Sequence, residues 1–246
     1  MHRFFCISYL IVALLAGCQI DTTTEAEQPN ISPQLLLLSK GLVNDSLQSA
    51  FQQFTGPELA KWDIAVIVNA SNKPEKRLKK LKKVKSRFHK AGADSSKISL
   101  FDIMKRNPAE LISYDLIYLL GGNPFLLLEE MQRSGADSIL QTLGQQGKAL
   151  MGYSAGSLVL GPGLELMQAA DSLLGYNERG WKNLQGLGLY DFEIFPHYTE
   201  FTTEVEGLAA LIDAYQQGSK RKLYLLEDDQ GILIQGDQRK LIDGDL

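Results

Sequence analysis

The stretch Ala149-Leu150-Met151-Gly152-Tyr153-Ser154-Ala155-Gly156-Ser157-Leu158-Val159-Leu160 changes character in its middle. Up to Tyr153 it reads as a short buried strand, and from Ala155 its small and apolar residues suit a helix. Between the two lies G-x-S-x-G, the pattern of a nucleophile elbow, in which a serine sits on a sharp strand-to-helix turn. The glycines have a steric reason, because so crowded a turn brings side chains into neighbouring backbone. The serine hydroxyl is then presented at the carboxyl end of a strand, with the following N–H aimed at a developing oxyanion. With 22 glycines in 246 residues, the pattern arises by chance in roughly one chain in ten, so its position after a strand carries the weight.

Outward from this turn the hydrophobic period keeps switching. Apolar runs at 35–39, 64–69, 98–103, 114–120 and 149–153 read as buried parallel strands. Amphipathic stretches near 45–55, 74–91, 107–113 and 124–146 separate them. Such alternation predicts an α/β domain, a parallel sheet with helices on both faces. Past residue 198 the pattern predicts a helix over 202–217, a strand at 222–226, and a C-terminal β-hairpin of 231–235 and 239–242 around Gly236-Asp237. The most charged segment, 73–90, holds ten Lys and Arg against Glu75. Leu78, Leu81, Val84 and Phe88 recur there at helical spacing and are expected to face the sheet. The basic residues read as a solvated face, with attraction to anionic lipid as the sharper alternative.

Composition excludes several chemistries. The net charge of −4 argues against nucleic acid as a partner. Both cysteines, Cys6 and Cys18, lie in the first eighteen residues, leaving the body without a thiolate nucleophile, disulfide or zinc–sulfur site. The start itself reads as an address: a cationic His2-Arg3, an apolar run from Phe4, then Leu15-Ala16-Gly17-Cys18, which resembles a bacterial lipobox. Residues 1–17 are therefore expected to be a lipoprotein signal peptide, with Cys18 lipidated. The polar stretch 19–32 (QIDTTTEAEQPNIS) completes a flexible tether over 18–32, leaving 33–246 as a single α/β domain. This places the protein at the bacterial cell envelope facing the periplasm or exterior, with Gln19 favouring an outer membrane.

Two further motifs end apolar runs. In Leu119-Leu120-Gly121-Gly122-Asn123-Pro124-Phe125 the paired glycines let backbone approach a ligand closely and turn N–H groups inward. An amide of Gly122 or Asn123 would pair with that of Ala155 as an oxyanion hole, each donor supplying about 3–4 kcal/mol of transition-state stabilisation. In Phe195-Pro196-His197-Tyr198 the histidine gains its role by elimination: if Ser154 needs an imidazole base, the body offers His89 and His197. His89 belongs to the Lys-rich helix, whereas His197 lies at a strand end, where sites of open α/β sheets gather. The acid orienting that imidazole is sought between serine and histidine, among Glu165, Asp171, Glu178, Asp191 and Glu193. The last two read as structural; Asp171 is favoured, with Glu178 as the alternative.

Together LLLSKG (36–41), GGNPF (121–125), GYSAGS (152–157), GLGL (186–189) and FPHY (195–198), in this order, resemble the dipeptidase E (aspartyl dipeptidase) family of serine peptidases, which includes cyanophycinase. The resemblance implies a fold like class I glutamine amidotransferases, with serine at the elbow. It implies a Ser–His–Asp/Glu triad mapping onto Ser154, His197 and Asp171, action on small peptides, and no metal or organic cofactor. Relatives preferring aspartyl substrates carry an arginine in a TNDMP-like stretch; here residues 160–174 (LGPGLELMQAADSLL) hold neither Arg nor Lys, so that preference does not carry over. The rival readings are an inactive peptide- or amino-acid-binding lipoprotein of this fold and an α/β-hydrolase-type esterase. The latter usually spaces serine and histidine much further apart.

Overall fold

A computed structural model of the chain describes residues 32–244; the expected signal peptide, Cys18 and all of the tether except Ser32 lie outside them. The described chain runs β1 (Gln34–Leu38), α1 (Asp45–Thr55), β2 (Ile64–Ile67), α2 (Pro74–Lys90), β3 (Ile98–Phe101), β4 (Leu116–Leu119), α3 (Pro124–Ser134), α4 (Ala136–Gln145) and β5 (Ala149–Tyr153). It continues through α5 (Ala155–Leu160), α6 (Glu165–Ala169), α7 (Asp171–Leu174), β6 (Glu193–Pro196), α8 (Tyr198–Glu204), α9 (Leu208–Gly218), β7 (Leu223–Leu226), β8 (Gly231–Gln235) and β9 (Gln238–Ile242). Two expected helices are each divided by a glycine in the left-handed region. Gly135 at φ 74° ends α3 and starts α4, and Gly207 at φ 82° separates α8 from α9.

Seven strands form the main sheet in the order β3-β2-β4-β5-β1-β8-β9. The first five are parallel, and β8 and β9 complete the sheet as the expected antiparallel hairpin. Both faces are covered, as continuous apolar runs require. Leu35 and Leu37 of β1 pack with Ile67, Leu119 and Leu150 under Leu128, Leu140 and Ile212 of α3, α4 and α9. Leu36 and Leu38 point the other way, joining Val66, Tyr118 and Met151 under Phe51 of α1 and Val84 and Phe88 of α2.

One helical face departs from expectation. Leu78 is 55% exposed, because the inward position on the early turns of α2 is taken by Arg77. Its guanidinium reaches the Asp102 carboxylate at 2.7 Å, so the inward stripe runs from half-buried Arg77 and Leu81 to buried Val84 and Phe88. A half-buried cation so close to a carboxylate is paired rather than stranded. His89 is exposed on α2, as expected.

The sheet register positions the chemistry. Leu38 lies beside Tyr153 and Gly152 beside Leu119, so β1, β4 and β5 end together. Strands β6 and β7 leave the main sheet and pair in parallel with each other, Pro196 beside Leu226. They cannot join β1, whose free edge is occupied by β8. Ser39 ties the two sheets together: buried at the end of β1, its hydroxyl donates to the Leu226 carbonyl at 3.4 Å and accepts from the His197 N–H at 2.9 Å.

Candidate active site

Ser154 follows β5 directly and precedes the first residue of α5. Its backbone sits at φ 50°, ψ −118°, the strained turn expected of an elbow. Ser154 and His197 (φ 59°) are the only non-glycine residues with positive φ among the described residues. The flanking glycines are required by clearance. A Cβ on Gly152 would stand 2.5 Å from the Gly156 carbonyl carbon, and one on Gly156 would stand 2.0 Å from the Leu119 oxygen. Backbone bonding then locks the turn, because the Ser154 N–H donates to the Leu38 carbonyl at 2.9 Å. The buried Ser157 hydroxyl does double duty, accepting from the Leu38 N–H at 3.0 Å and donating to the Leu38 carbonyl at 2.9 Å.

Beside the elbow, β4 ends in Gly121 and Gly122. A Cβ on Gly121 would meet the Ser154 Cβ at 3.0 Å and the Tyr153 ring at 2.5 Å, which measures how closely this loop approaches the serine. Gly122, at φ 148°, passes so near Ala70 that a Cβ would stand 2.2 Å from its carbonyl oxygen. Asn123 is corrected as an oxyanion donor. Its N–H is committed to the Ala70 carbonyl at 2.8 Å, its Oδ1 caps α3 by accepting from the Leu126 N–H at 3.0 Å, and its Nδ2 donates to the Tyr176 carbonyl at 2.6 Å. Among the described residues, the N–H groups of Gly122 and Ala155 have no hydrogen-bond partner. Ala155 is the first residue of a helix, where an N–H has no intrahelical acceptor.

His197 follows β6, and its Nδ1 lies 2.5 Å from Asp228 Oδ1. A neutral imidazole with its Nδ1–H donated to a carboxylate keeps Nε2 as the acceptor. The ring is 13% exposed and packs edge-on against Phe201 at 5.6 Å. Among the described residues, neither Nε2 nor the Ser154 hydroxyl is hydrogen-bonded, to each other or to another group, and the two side chains border different cavities. The two residues flank one point: Ser154 is held to Leu38 and His197 to Ser39. Ser154 and Pro196 also line the same small cavity of about 20 Å³.

The acid beside this histidine differs from the expected one. Asp171 opens α7, and its carboxylate accepts the Asn177 N–H at 2.7 Å, folding the 171–177 segment on itself. Glu178 is exposed. The imidazole's partner is Asp228, two residues past the end of β7, a position outside the serine-to-histidine interval. Asp191 and Glu193 are structural as expected, the first paired with Arg239 and the second accepting from Tyr215 and Ser219.

Lys40 bridges Asp228 and Glu200. Burial alone would raise the Asp228 carboxyl, but hydrogen bonds from Lys40 and His197 outweigh it and hold it below its ordinary value. The same contact with Asp228 raises the Lys40 ammonium. Donor atoms of His197, Glu200 and Asp228 lie within 4.8 Å of one another, yet the Lys40 ammonium already supplies a cation between the two carboxylates. Beyond Gly122 opens a cavity of about 270 Å³, lined by Lys73, Lys76, Lys80, Tyr176, Glu178 and Arg179 among others. On the His197 side lies another of about 310 Å³, bordered by Lys40, Lys80, Lys83, Arg87 and Tyr153.

Comparison with known proteins gives a consistent answer. The model of the family described as Peptidase family S51 matches residues 35–242. An uncharacterised peptidase of Pasteurella multocida is 33% identical over 151 residues, covering 61% of this chain and 68% of that protein. A protein named peptidase E from Shewanella amazonensis is 30% identical over 148 residues; the match covers 51% of this chain and 60% of that protein, under two thirds of its length. Among solved structures, a Listeria monocytogenes EGD-e protein described as a candidate peptidase E superposes with a TM-score of 0.66 at 25% identity, covering 85% of this chain and 97% of that one. A peptidase from an acI-B1 actinobacterium, 18% identical at a TM-score of 0.64, shares the fold over 89% of this chain and 90% of its own.

Proposed function

The chain belongs to peptidase family S51, a family of serine-type peptidases, and on that premise we propose that it cleaves short peptides as a dipeptidase-like exopeptidase through Ser154, His197 and Asp228. Ser154 attacks the scissile carbonyl while His197 Nε2 takes its proton. Asp228 holds Nδ1–H and stabilises the imidazolium. The N–H groups of Gly122 and Ala155 receive the oxyanion. His197 then protonates the leaving amine, and water releases the acyl-enzyme along the reverse course. Every proton in this cycle is carried by His197, so the reading needs no metal or organic cofactor.

One observation carries the reading. Three strand ends deliver a serine on a strained turn, unpartnered amides, and a histidine already paired with a carboxylate to one edge of the fold. The expected acid, Asp171, is engaged elsewhere, which favours Asp228 in its place. The exopeptidase preference rests on the resemblance to dipeptidase E. The envelope location, with a lipid on Cys18, rests on the lipobox-like sequence; metabolic labelling with a radiolabelled fatty acid would mark the chain and spare Cys18→Ser.

For the chemistry, the full chain is treated with a fluorophosphonate probe and screened against a dipeptide library. Labelling at Ser154 and turnover of some dipeptides are expected, and Ser154→Ala and His197→Ala should each lower turnover by about three orders of magnitude or more. A chain that neither labels nor turns over any peptide is instead a binding protein. Near-normal activity in either variant refutes the assignment.

A further inference from the structure

Lys80 lies on α2, part-buried, and borders both the cavity of about 270 Å³ and that of about 310 Å³. Its ammonium donates to the Gly121 carbonyl oxygen at 2.5 Å and stands 5.9 Å from the centroid of the Tyr153 ring, the residue before the serine. That carbonyl belongs to the same peptide unit as the Gly122 N–H. In a planar trans peptide the C=O and N–H point in opposite directions, so anchoring the oxygen fixes the direction of the hydrogen.

The anchor is needed because of the sequence around it. The loop is pinned by the Leu120 N–H on the Ile67 carbonyl at 3.0 Å and by the Asn123 N–H on the Ala70 carbonyl at 2.8 Å. Between these pins lie two glycines, and Gly122 already occupies φ 148°, a backbone region with little steric resistance to rotation for glycine alone. A flipped Gly121–Gly122 peptide would present a carbonyl where the oxyanion must sit. A cation on the carbonyl also polarises the amide and strengthens its N–H as a donor.

We propose that Lys80 is a positioning residue for the oxyanion site, holding the Gly121–Gly122 peptide with its N–H turned toward the carbonyl oxygen of a substrate on Ser154. This rests on the serine peptidase reading above. Burial, with a smaller contribution from Lys76, pushes the Lys80 ammonium below its ordinary value; the case for Lys80 rests on its contact with the Gly121 carbonyl. A substrate-binding lysine would act differently: its loss would weaken ground-state affinity and spare the chemical step.

The test uses the full chain with Lys80→Met and Lys80→Arg, followed by the labelling rate with a fluorophosphonate and by kcat and KM for p-nitrophenyl acetate. Thermal unfolding confirms that each variant is folded. Removing an oxyanion donor costs about 10²–10³-fold in kcat, so misorienting one is expected to cost roughly 10–100-fold. Lys80→Met should therefore lose roughly that factor in kcat and labelling rate, with KM within about twofold, and Lys80→Arg should recover most of it. Unchanged kcat in a folded Lys80→Met overturns the proposal, as does a loss confined to KM, or an arginine variant no better than the methionine one. In those cases the wild type still labels at Ser154. A wild type that fails to label at all overturns the peptidase reading, and the role of Lys80 with it.

Discussion

Asp228→Asn is the most discriminating substitution. It keeps the shape of the side chain and removes the charge that faces the His197 Nδ1 at 2.5 Å. During acylation the imidazole becomes a cation whose charge centre lies about 4 Å from that of the carboxylate, which at an effective dielectric of 20 is worth about 4 kcal/mol. Two features reduce this figure. Lys40 already draws on the other carboxylate oxygen, and the Asp228 side chain is 34% exposed. Halving the figure leaves about 2 kcal/mol, or about 30-fold in rate.

A second effect adds to the first. An amide N–H turned toward Nδ1 favours the tautomer with its proton on Nε2, which cannot accept the serine proton. The expected loss in kcat is therefore about 10²–10³-fold, with KM nearly unchanged. The assay is steady-state turnover of the best dipeptide, together with the fluorophosphonate labelling rate and a melting curve. Asp171→Asn and Glu178→Gln, assayed alongside, should stay within about threefold of wild type. If Asp171→Asn is the crippling change and Asp228→Asn is mild, the assignment of the acid and the reasoning behind it are wrong.

Gly156→Ala drives a Cβ to 2.0 Å from the Leu119 oxygen; since backbone must shift, a loss of about 3 kcal/mol or more is expected, seen as a fall in Tm of roughly 6–12 °C. Ser157→Ala removes the hydroxyl that the Leu38 N–H donates to, while the Leu38 carbonyl keeps the Ser154 N–H; the expected cost is about 1–3 kcal/mol, readable as a lower denaturation midpoint at unchanged m-value. The Lys40–Asp228 pair gives a pH dependence with a defined sign. The depressed Asp228 carboxyl contributes stability above pH 3.8 that is lost as pH falls through its folded value, and the raised Lys40 contributes stability that is lost as pH rises past 10.5. The pair is partly exposed, so Lys40→Met should lower stability by about 1 kcal/mol or less at neutral pH, and the difference from wild type should shrink at both extremes; a difference constant with pH contradicts this.

Much of the fold was legible because burial on both faces writes itself into parallel strands. The runs at 35–39, 64–69, 98–103, 114–120 and 149–153 all form strands of the main sheet, the last with the expected bounds, the first displaced by one residue and the middle three shortened. What failed was non-local. Leu78 continues the apolar spacing of α2, but Arg77 has a buried carboxylate waiting on another element, and no pattern within α2 reveals that. Strand β6 has the apolar character of a sheet member, yet β8 holds the edge it would need. An edge claimed by a segment some forty residues later cannot be read from the segment that loses it.

The site divides along the same line. Ser154, Gly122, Ala155 and His197 each follow an apolar run directly, so local sequence placed them at strand ends. Asp228 also follows one, the expected strand at 222–226, but lies outside the serine-to-histidine interval in which chain order places the acid. Chain order was the wrong guide. Two parallel strands in register bring their carboxyl ends side by side, so Pro196 paired with Leu226 makes the residues after each strand neighbours. That rule narrows the search to Glu227-Asp228-Asp229 without naming the member. The choice is made by side-chain direction: Glu227 turns to the hydroxyl and N–H of Thr199, Asp229 packs against Gly244, and Asp228 alone of the three reaches the imidazole. A triad on an open α/β sheet is thus better sought across neighbouring strand ends than along the chain, because the sheet holds those ends together whatever their order in sequence.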